Sequence, residues 1–352
     1  MPRKRRLDPA IFHLPVERMR EGYYSDKYFV RARETLLKDG HRPRVTMQVF
    51  AKTHAYLGGI DEAIAILKLS AERWDELEVA ALYDGDEIAP WETVLLIEGP
   101  YDAFANLETL YLGVLARRTR VGTNTRRVVD AARPKQVMFF PARHDHWLVQ
   151  TGDGYAAHIA GAIGVSTDAQ ASWWGSEGVG TVPHALIAAY GGDTVLASQK
   201  FAEHMDPAIR LIPLVDFDND CVGTSLQVAR ALGKRLYGVR LDTSETLVDK
   251  SVIPEMGTFK PTGVNPQLVR NVRAALDQEG FQHVRIVVSG GFTVDKIRQF
   301  EEQGVPVDMY GVGSSLFQGR FDFTADVVRL EGKPCGKVGR RFRPNPRLER
   351  VD

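Results

Sequence analysis

Residues able to do chemistry recur in short clusters from Arg143 to Ser315 of this 352-residue chain. Arg143 and His146 lie in "ARHDH", Ser166 and Thr167 close "AGAIGVST", and Thr181 and His184 lie in "GVGTVPHALIAA". Asp216 and Asp218 belong to "LVDFDND", and Arg240, Asp242, Thr243 and Ser244 to "YGVRLDTS". Ser289, Gly290 and Gly291 form "SGG"; Gly311, Gly313, Ser314 and Ser315 lie in "GVGSS". Glycine lets backbone approach a ligand, and amides that open a helix attract anions, so two such turns in succession mark a phosphate corner. The bland alternative is two tight turns. Asp216 and Asp218 share one face of an extended segment and suit Mg²⁺ or a ribose diol, unless one of them caps the next helix. Arg240 and Asp242 also share a face; they either meet an anion and a sugar hydroxyl or pair with each other. Arg143 offers a planar fork for a carboxylate or phosphate, with His146 three residues on. His184 sits where an apolar run turns into a helix. By itself it reads as structural; beside the other clusters it reads as a site residue, with Thr181 close behind it.

The clusters need a scaffold that brings them together. Each follows a short apolar run: "QVMFF", "AGAIGVST", "GVGTV", "LIPLVDF", "LYGVRLD", "VRIVVSGG" and "VDMYGVGSS". Helical segments follow these runs, the clearest being "GYAAHIAGAIG", "HALIAAYGG", "GTSLQVARALG", "NPQLVRNVRAALDQEG" and "TVDKIRQFEEQG". Continuous apolar strands alternating with amphipathic helices indicate parallel βα units. The chain is therefore expected to be α/β, with an incomplete (β/α) barrel over residues 126–324. In such a barrel reactive groups stand at the C-terminal strand ends, and the last loops recurrently hold phosphate. A doubly wound sheet is the alternative, but no G-x-G-x-x-G follows a first strand.

Residues 1–125 read as an N-terminal α+β layer domain. "DKYFVRARETLLKDG" predicts a helix with a glycine stop, "RVTMQVFAK" a half-buried strand, and "ETVLLIEGP" a further strand. "GIDEAIAILKLSAERWDELEVAAL" predicts helix, and "FANLETLYLGVLARRTRVGTNTRRVVDAA" a long helix interrupted near Gly122. Residues 325–352, β-like and then basic coil, are expected to rejoin this domain.

Composition narrows the function. Formal net charge is zero and hydrophobic residues make up 44%, so bulk charge gives no reason to expect nucleic acid or membrane as partner. Two cysteines, Cys221 and Cys335, exclude a disulfide scaffold and a Cys-only zinc site and suit the cytoplasm. The opening "MPRKRRLDPAIFHLP" lacks the apolar core of a signal peptide, and "RKRR" is expected to be a solvated tail, with a polyphosphate or nucleic-acid contact the alternative. No lysine follows a strand to form a Schiff base, and there is neither a Cys/His cluster nor a Gly-x-Ser-x-Gly elbow. The pattern therefore favours a phosphorylated sugar with a metal ion over aldolase or hydrolase chemistry.

With these residues in view, the chain resembles the nicotinate phosphoribosyltransferases of the type II phosphoribosyltransferase class, over nearly its whole length. The resemblance rests on "SDKYF", "LLIEGPYDAFANLETLYLGVLA", "ARHDH", "VGTVPHALI", "LVDFDND", "YGVRLDTS", "VVSGGFTVDKI" and "YGVGSSL", taken in order. It implies transfer of a phosphoribosyl group from 5-phosphoribosyl-1-pyrophosphate to nicotinate in NAD salvage, with Mg²⁺ and with ATP hydrolysed through a phosphohistidine. On this sequence that histidine is His184. The resemblance puts the 5′-phosphate on Ser289–Gly291 and Gly311–Ser314, the nicotinate carboxylate or pyrophosphate on Arg143, and ribose or metal on Asp216, Asp218 and Asp242. It has Tyr28 stack on the pyridine ring across a homodimer. The sequence departs from the family where Trp147 follows His146 and where "TSE" follows Arg-Leu-Asp. Only Cys335 stands in the tail, so no zinc module is expected. Quinolinate or nicotinamide as the base, and a non-catalytic phosphosugar-binding protein, are the competing readings.

Overall fold

The structure, a computed structural model, describes residues 5–352; Arg3 and Lys4 of "RKRR" lie outside the described residues. Arg6 is no solvated tail residue. Its guanidinium donates to Asp61 Oδ1 at 2.9 Å and to the Leu82 carbonyl at 3.0 Å, and lies 4.1 Å from the Tyr83 ring centre. One compact unit holds the described residues to Thr123 with Tyr155–Ala160 and Gln318–Asp352; a second holds Asn124–Gly154 and Gly161–Phe317.

The first unit is built on a six-stranded antiparallel sheet. Its order is Lys333–Pro334, Phe323–Leu330, Arg44–Ala51, Thr93–Pro100, Glu78–Ala81, Glu349–Arg350. The alternation in Arg44–Ala51 predicts one wet face, yet seven of its eight residues are buried. One face packs Met47 and Val49 with Leu95, Ile97 and the Ile60–Ser70 helix in a single core. The other face is covered by the basic coil near the C-terminus: Gln48 Nε2 donates to the Arg341 carbonyl at 3.2 Å, and the Arg343 amide donates back to Gln48 Oε1 at 2.9 Å. Alternation reports polarity, and a polar side chain can still be buried when the chain returns to satisfy it.

Two further expectations are corrected here. The helix read over residues 59–82 stops at Ser70, and Glu78–Ala81 is a strand paired with Thr93–Pro100. Ladder pairing and burial outweigh weak helix propensity in so short a stretch. The long helix runs unbroken from Glu108 to Ala132. Gly122 is buried within it, where a Cβ would lie 3.5 Å from the carbonyl oxygens of Tyr56 and Ala156. Packing there offsets the propensity cost of glycine, about 1 kcal/mol.

The second unit is mixed α/β around a five-stranded parallel sheet, ordered Gly164–Val165, Gln136–Phe139, Met309–Val312, Arg285–Val288, Gly238–Leu241. Beyond Gly238–Leu241, isolated parallel bridges join Leu211 to Leu236, Leu214 to Arg240 and Pro213 to Val182. The Val179 amide donates to the Val165 carbonyl at 2.8 Å. Thus "LIPLVDF" and "GVGTV" hold strand-like places without forming regular strands. Pro213 and Pro183 lack the N–H that a ladder requires, which keeps both segments irregular. The helices His184–Ala189, Thr194–His204, Cys221–Leu232, Pro266–Gln278 and Val294–Glu302 follow. Asp220, Asn265 and Thr293 cap three of them by accepting from the amides of Gly223, Leu268 and Lys296. Among the described residues no helix is long and apolar enough to cross a membrane.

Gly154 tests the packing that sets the turn after Gly164–Val165. A Cβ there would stand 2.2 Å from the Gln170 carbonyl oxygen. Gly154→Ala is expected to cost about 1–3 kcal/mol through overpacking, read as a lower melting temperature by calorimetry; an unchanged value would show that the turn relaxes freely.

Candidate functional site

A cavity of about 590 Å³ in the second unit is lined by Phe140, Arg143, Thr181, His184, Arg240 and Asp242, among others. Each arrives at the end of an apolar segment. Arg143 follows Gln136–Phe139, Thr181 and His184 flank the Val182 bridge, and Arg240 and Asp242 straddle the end of Gly238–Leu241.

Arg240 holds the cavity together. Its Nε donates to Ser289 Oγ at 2.8 Å and its Nη1 to Thr181 Oγ1 at 3.2 Å, while Nη2 lies 3.6 Å from Asp242 Oδ2. Ser289 Oγ in turn donates to Asp242 Oδ1 at 2.6 Å. The guanidinium also lies 5.1 Å from the centre of the Phe140 ring. Burial lowers the Arg240 pKa, with the Arg143 charge adding to that and Asp242 and Asp216 opposing it. Two guanidiniums facing one cavity, with carboxylates beside them, is an arrangement suited to an anionic substrate.

His184 opens its helix. Its Nε2 lies 3.1 Å from Asp216 Oδ1. A carboxylate can only accept, so the hydrogen bond puts the proton on Nε2 and leaves Nδ1 as the lone-pair nitrogen of the neutral ring. This hydrogen bond is the largest reason the His184 pKa is raised above its ordinary value; partial burial opposes it, and the Asp216 charge adds to it.

The two glycine turns lie side by side, since Ser315 Oγ donates to the Phe292 carbonyl at 2.8 Å. Gly290 and Gly291 have φ of +85° and +66°, the left-handed region that glycine alone enters readily. The amides of Gly290, Gly291 and Phe292 meet no protein acceptor among the described residues. Amides without protein partners at such a turn are available to an anion. The glycine at 311 has a packing reason instead: a Cβ there would stand 2.7 Å from the Phe140 ring. At Gly313 the neighbour is His144 Nε2, 3.3 Å from the Cβ position. Ser314 begins the short turn Ser314–Phe317.

Some of the residues read from the sequence stand elsewhere. His146 is exposed, and its Nδ1 accepts from the Leu148 amide at 3.2 Å. Asp218 is exposed and does not line the cavity; the helix cap expected of Asp216 or Asp218 is made by Asp220. Thr243 is buried with its Oγ1 3.6 Å from the Cys221 sulfur, and Ser244 is exposed beside Thr246. Tyr28, expected to act on a partner chain's site and not on this one, is 63% exposed in the first unit, with its ring centre 4.1 Å from that of Phe29. Sequence reasoning passed over Phe140 and His144. Phe140 had a signal, an aromatic closing an apolar run just before Arg143; His144 had none that set it apart from its neighbours in "ARHDH".

Comparison with known proteins agrees with this architecture. The family model described as the N-terminal domain of quinolinate phosphoribosyl transferase matches residues 26–119, and the C-terminal domain of the same family matches residues 121–321. A solved nicotinate-nucleotide pyrophosphorylase from Pyrococcus furiosus is 32% identical with a TM-score of 0.81, covering 96% of this chain and 85% of that one. Nicotinate phosphoribosyltransferase pncB1 of Mycobacterium tuberculosis is 28% identical over 356 residues, covering 90% of this chain and 74% of that protein. Human nicotinic acid phosphoribosyltransferase shares the fold at 18% identity, with a TM-score of 0.66, covering 88% of this chain and 75% of that one.

The His184–Asp216 pair has a pH signature. A pKa raised on folding contributes stability that is present below the unfolded value, about 6.5, and is lost as pH rises through the folded value. Asp216→Asn removes the acceptor charge. The melting-temperature gap between wild type and Asp216→Asn is therefore expected to be wider at low pH than at high pH across that window, and the His184 ring protons should titrate lower in the variant by NMR. A His184 titration that does not move would remove the pairing.

Proposed function

The chain belongs to the quinolinate phosphoribosyl transferase family of type II phosphoribosyltransferases, and we propose that its own reaction takes nicotinate as the base. Nicotinate and 5-phosphoribosyl-1-pyrophosphate give nicotinate mononucleotide and pyrophosphate, a step of NAD salvage. The observation that carries nicotinate over quinolinate is the state of the two cavity guanidiniums. Arg240 is committed to Ser289, Thr181 and Asp242, whereas Arg143 has no hydrogen-bond or ion-pair partner among the described residues. The residues lining the cavity include no lysine. One free fork suits a base with one carboxylate; quinolinate carries two. The family model's own name favours quinolinate as the second reading.

In this mechanism the ring nitrogen of nicotinate attacks C1 of the ribose as pyrophosphate leaves, through an oxocarbenium-like state. No general base is needed, because the attacking nitrogen carries its own lone pair. The chain's part is to hold the 5′-phosphate at Ser289–Gly291 and Gly313–Ser314, to orient the carboxylate or the leaving pyrophosphate at Arg143, and to set Asp216 and Asp242 near the developing positive charge. Among the described residues no group of three or more metal-ligating side chains converges. Mg²⁺ therefore fits as an ion carried on substrate phosphates with one carboxylate, Asp216 or Asp218, beside it, where it would neutralise leaving-group charge.

His184 has no task in the transfer itself. With Nε2 held by Asp216, the neutral ring offers Nδ1 to the γ-phosphorus of ATP. The N–P bond forms as ADP leaves, and water later releases phosphate. What supports an incomplete (β/α) barrel is the run of parallel bridges continuing from the sheet through Leu214, Pro213 and Val182, with the Val179–Val165 hydrogen bond beyond it. A homodimer and a cytoplasmic setting belong to the same proposal; the two free cysteines fit the latter.

The test is to supply the purified protein with phosphoribosyl pyrophosphate, Mg²⁺ and nicotinate, quinolinate or nicotinamide in turn, with and without ATP. Nicotinate alone should yield a nucleotide, and consumption of quinolinate only would reverse the assignment. Arg143→Ala should raise the KM for nicotinate or phosphoribosyl pyrophosphate about 10- to 100-fold, the loss of a charged hydrogen-bonded contact. His184→Ala should abolish ATP hydrolysis while leaving nicotinate binding nearly intact; hydrolysis that survives would remove the phosphohistidine.

A further inference from the structure

Glu245 enters neither the cavity network nor the mechanism above, yet its side chain ends against the first glycine turn. A Cβ on Gly291 would stand 1.8 Å from Glu245 Oε1, so the carboxylate occupies space that only a glycine leaves open. Glu245 is exposed and has no hydrogen-bond or ion-pair partner among the described residues, so little holds it there. Lys296 stands next to the same turn, with Nζ donating to the Gly290 carbonyl at 3.2 Å and lying 4.4 Å from the Phe292 ring centre. Glu245, Lys260 and Lys296 all line a neighbouring cavity of about 500 Å³. An acidic side chain thus rests against a turn whose amides lack protein acceptors among the described residues, and two amines line the same neighbouring cavity.

A carboxylate and a phosphate cannot share one such turn. Both are oxygen anions, and although Glu245 accepts from none of the turn's amides among the described residues, a phosphate seated on them would lie within a few ångströms of its carboxylate, where like charges repel. We propose that Glu245 guards the phosphate turn: its carboxylate stands against Gly291 in the free protein and withdraws towards Lys260 and Lys296 when a phosphate monoester enters. Glu245 then sets affinity for the phosphorylated sugar, since every arriving phosphate must displace it. The inference rests on reading Ser289–Gly291 as the phosphate turn.

Calorimetric titration of the whole protein with ribose 5-phosphate and, separately, with pyrophosphate tests this without relying on turnover. Glu245→Gln should bind ribose 5-phosphate about three- to fivefold tighter, the scale of one exposed charge interaction. Glu245→Asp, one methylene too short to reach the turn, should do the same. Pyrophosphate affinity should stay within about twofold, because Arg143 and Arg240 line the first cavity, which Glu245 does not line. A gain in affinity cannot come from a misfolded variant. Equal or weaker ribose 5-phosphate binding by Glu245→Gln, or an equal gain for pyrophosphate, overturns the proposal. Absence of ribose 5-phosphate binding in every variant overturns it together with the phosphate-turn reading. Failure of nicotinate transfer with these titrations as expected would strike the proposed function alone.

Discussion

A guanidinium held out of water has to be surrounded by acceptors, and the second unit is organised around that requirement at Arg240. The charge cannot be removed by deprotonation at any ordinary pH, so burial must be answered by hydrogen bonds and nearby carboxylates. Ser289, Thr181 and Asp242 provide the answer. They come from three separate stretches of chain, so satisfying one side chain fixes the relative position of the Gly238–Leu241 strand end, the first glycine turn and the segment that carries His184. Were any one displaced, a buried donor would be left without a partner, at a cost of about 1–3 kcal/mol or more for a charged group.

The same network decides which cavity groups are free to act. Asp242 is held by Ser289 and faces Arg240, and Asp216 is held against His184. Arg143 has no hydrogen-bond or ion-pair partner among the described residues and lines the cavity. The side chains thus divide by engagement: Arg240, Asp242 and Asp216 are held in a network that fixes the shape and potential of the cavity, and Arg143 keeps a free fork towards it among the described residues. The glycine positions divide in a similar way. Gly290 and Gly291 are required by backbone conformation, whereas Gly311 gives room to the Phe140 ring. Glycine thus meets a backbone requirement at one turn and makes room for an aromatic ring at the other.

Much of this was legible before any coordinates. Apolar runs ending in charge, hydroxyl or glycine announced the parallel units and the polar strand ends, and the clusters with His184, Asp216, Arg240, Asp242 and Ser289 do meet. Other parts were not legible. The choice of Asp220 over Asp218 as cap turns on where the helix begins, by one or two residues, which periodicity does not resolve. The continuity of the Glu108–Ala132 helix past Gly122 and the strand at Glu78–Ala81 both depend on neighbours distant in the chain.

By itself, the sequence determined the period of its elements, the types of residue at their ends, and hence the classes of chemistry open to the protein, because those follow from local spacing and side-chain identity. Only the tertiary structure decided which of those residues share a cavity and which are already engaged. It drew Arg240, Ser289 and Thr181 together, left Arg143 unpaired among the described residues, turned His146 to solvent and set Glu245 against the glycine turn. Contacts between residues far apart in the chain are fixed by the whole packing arrangement and by the need to satisfy each buried charge, and no local pattern carries that information.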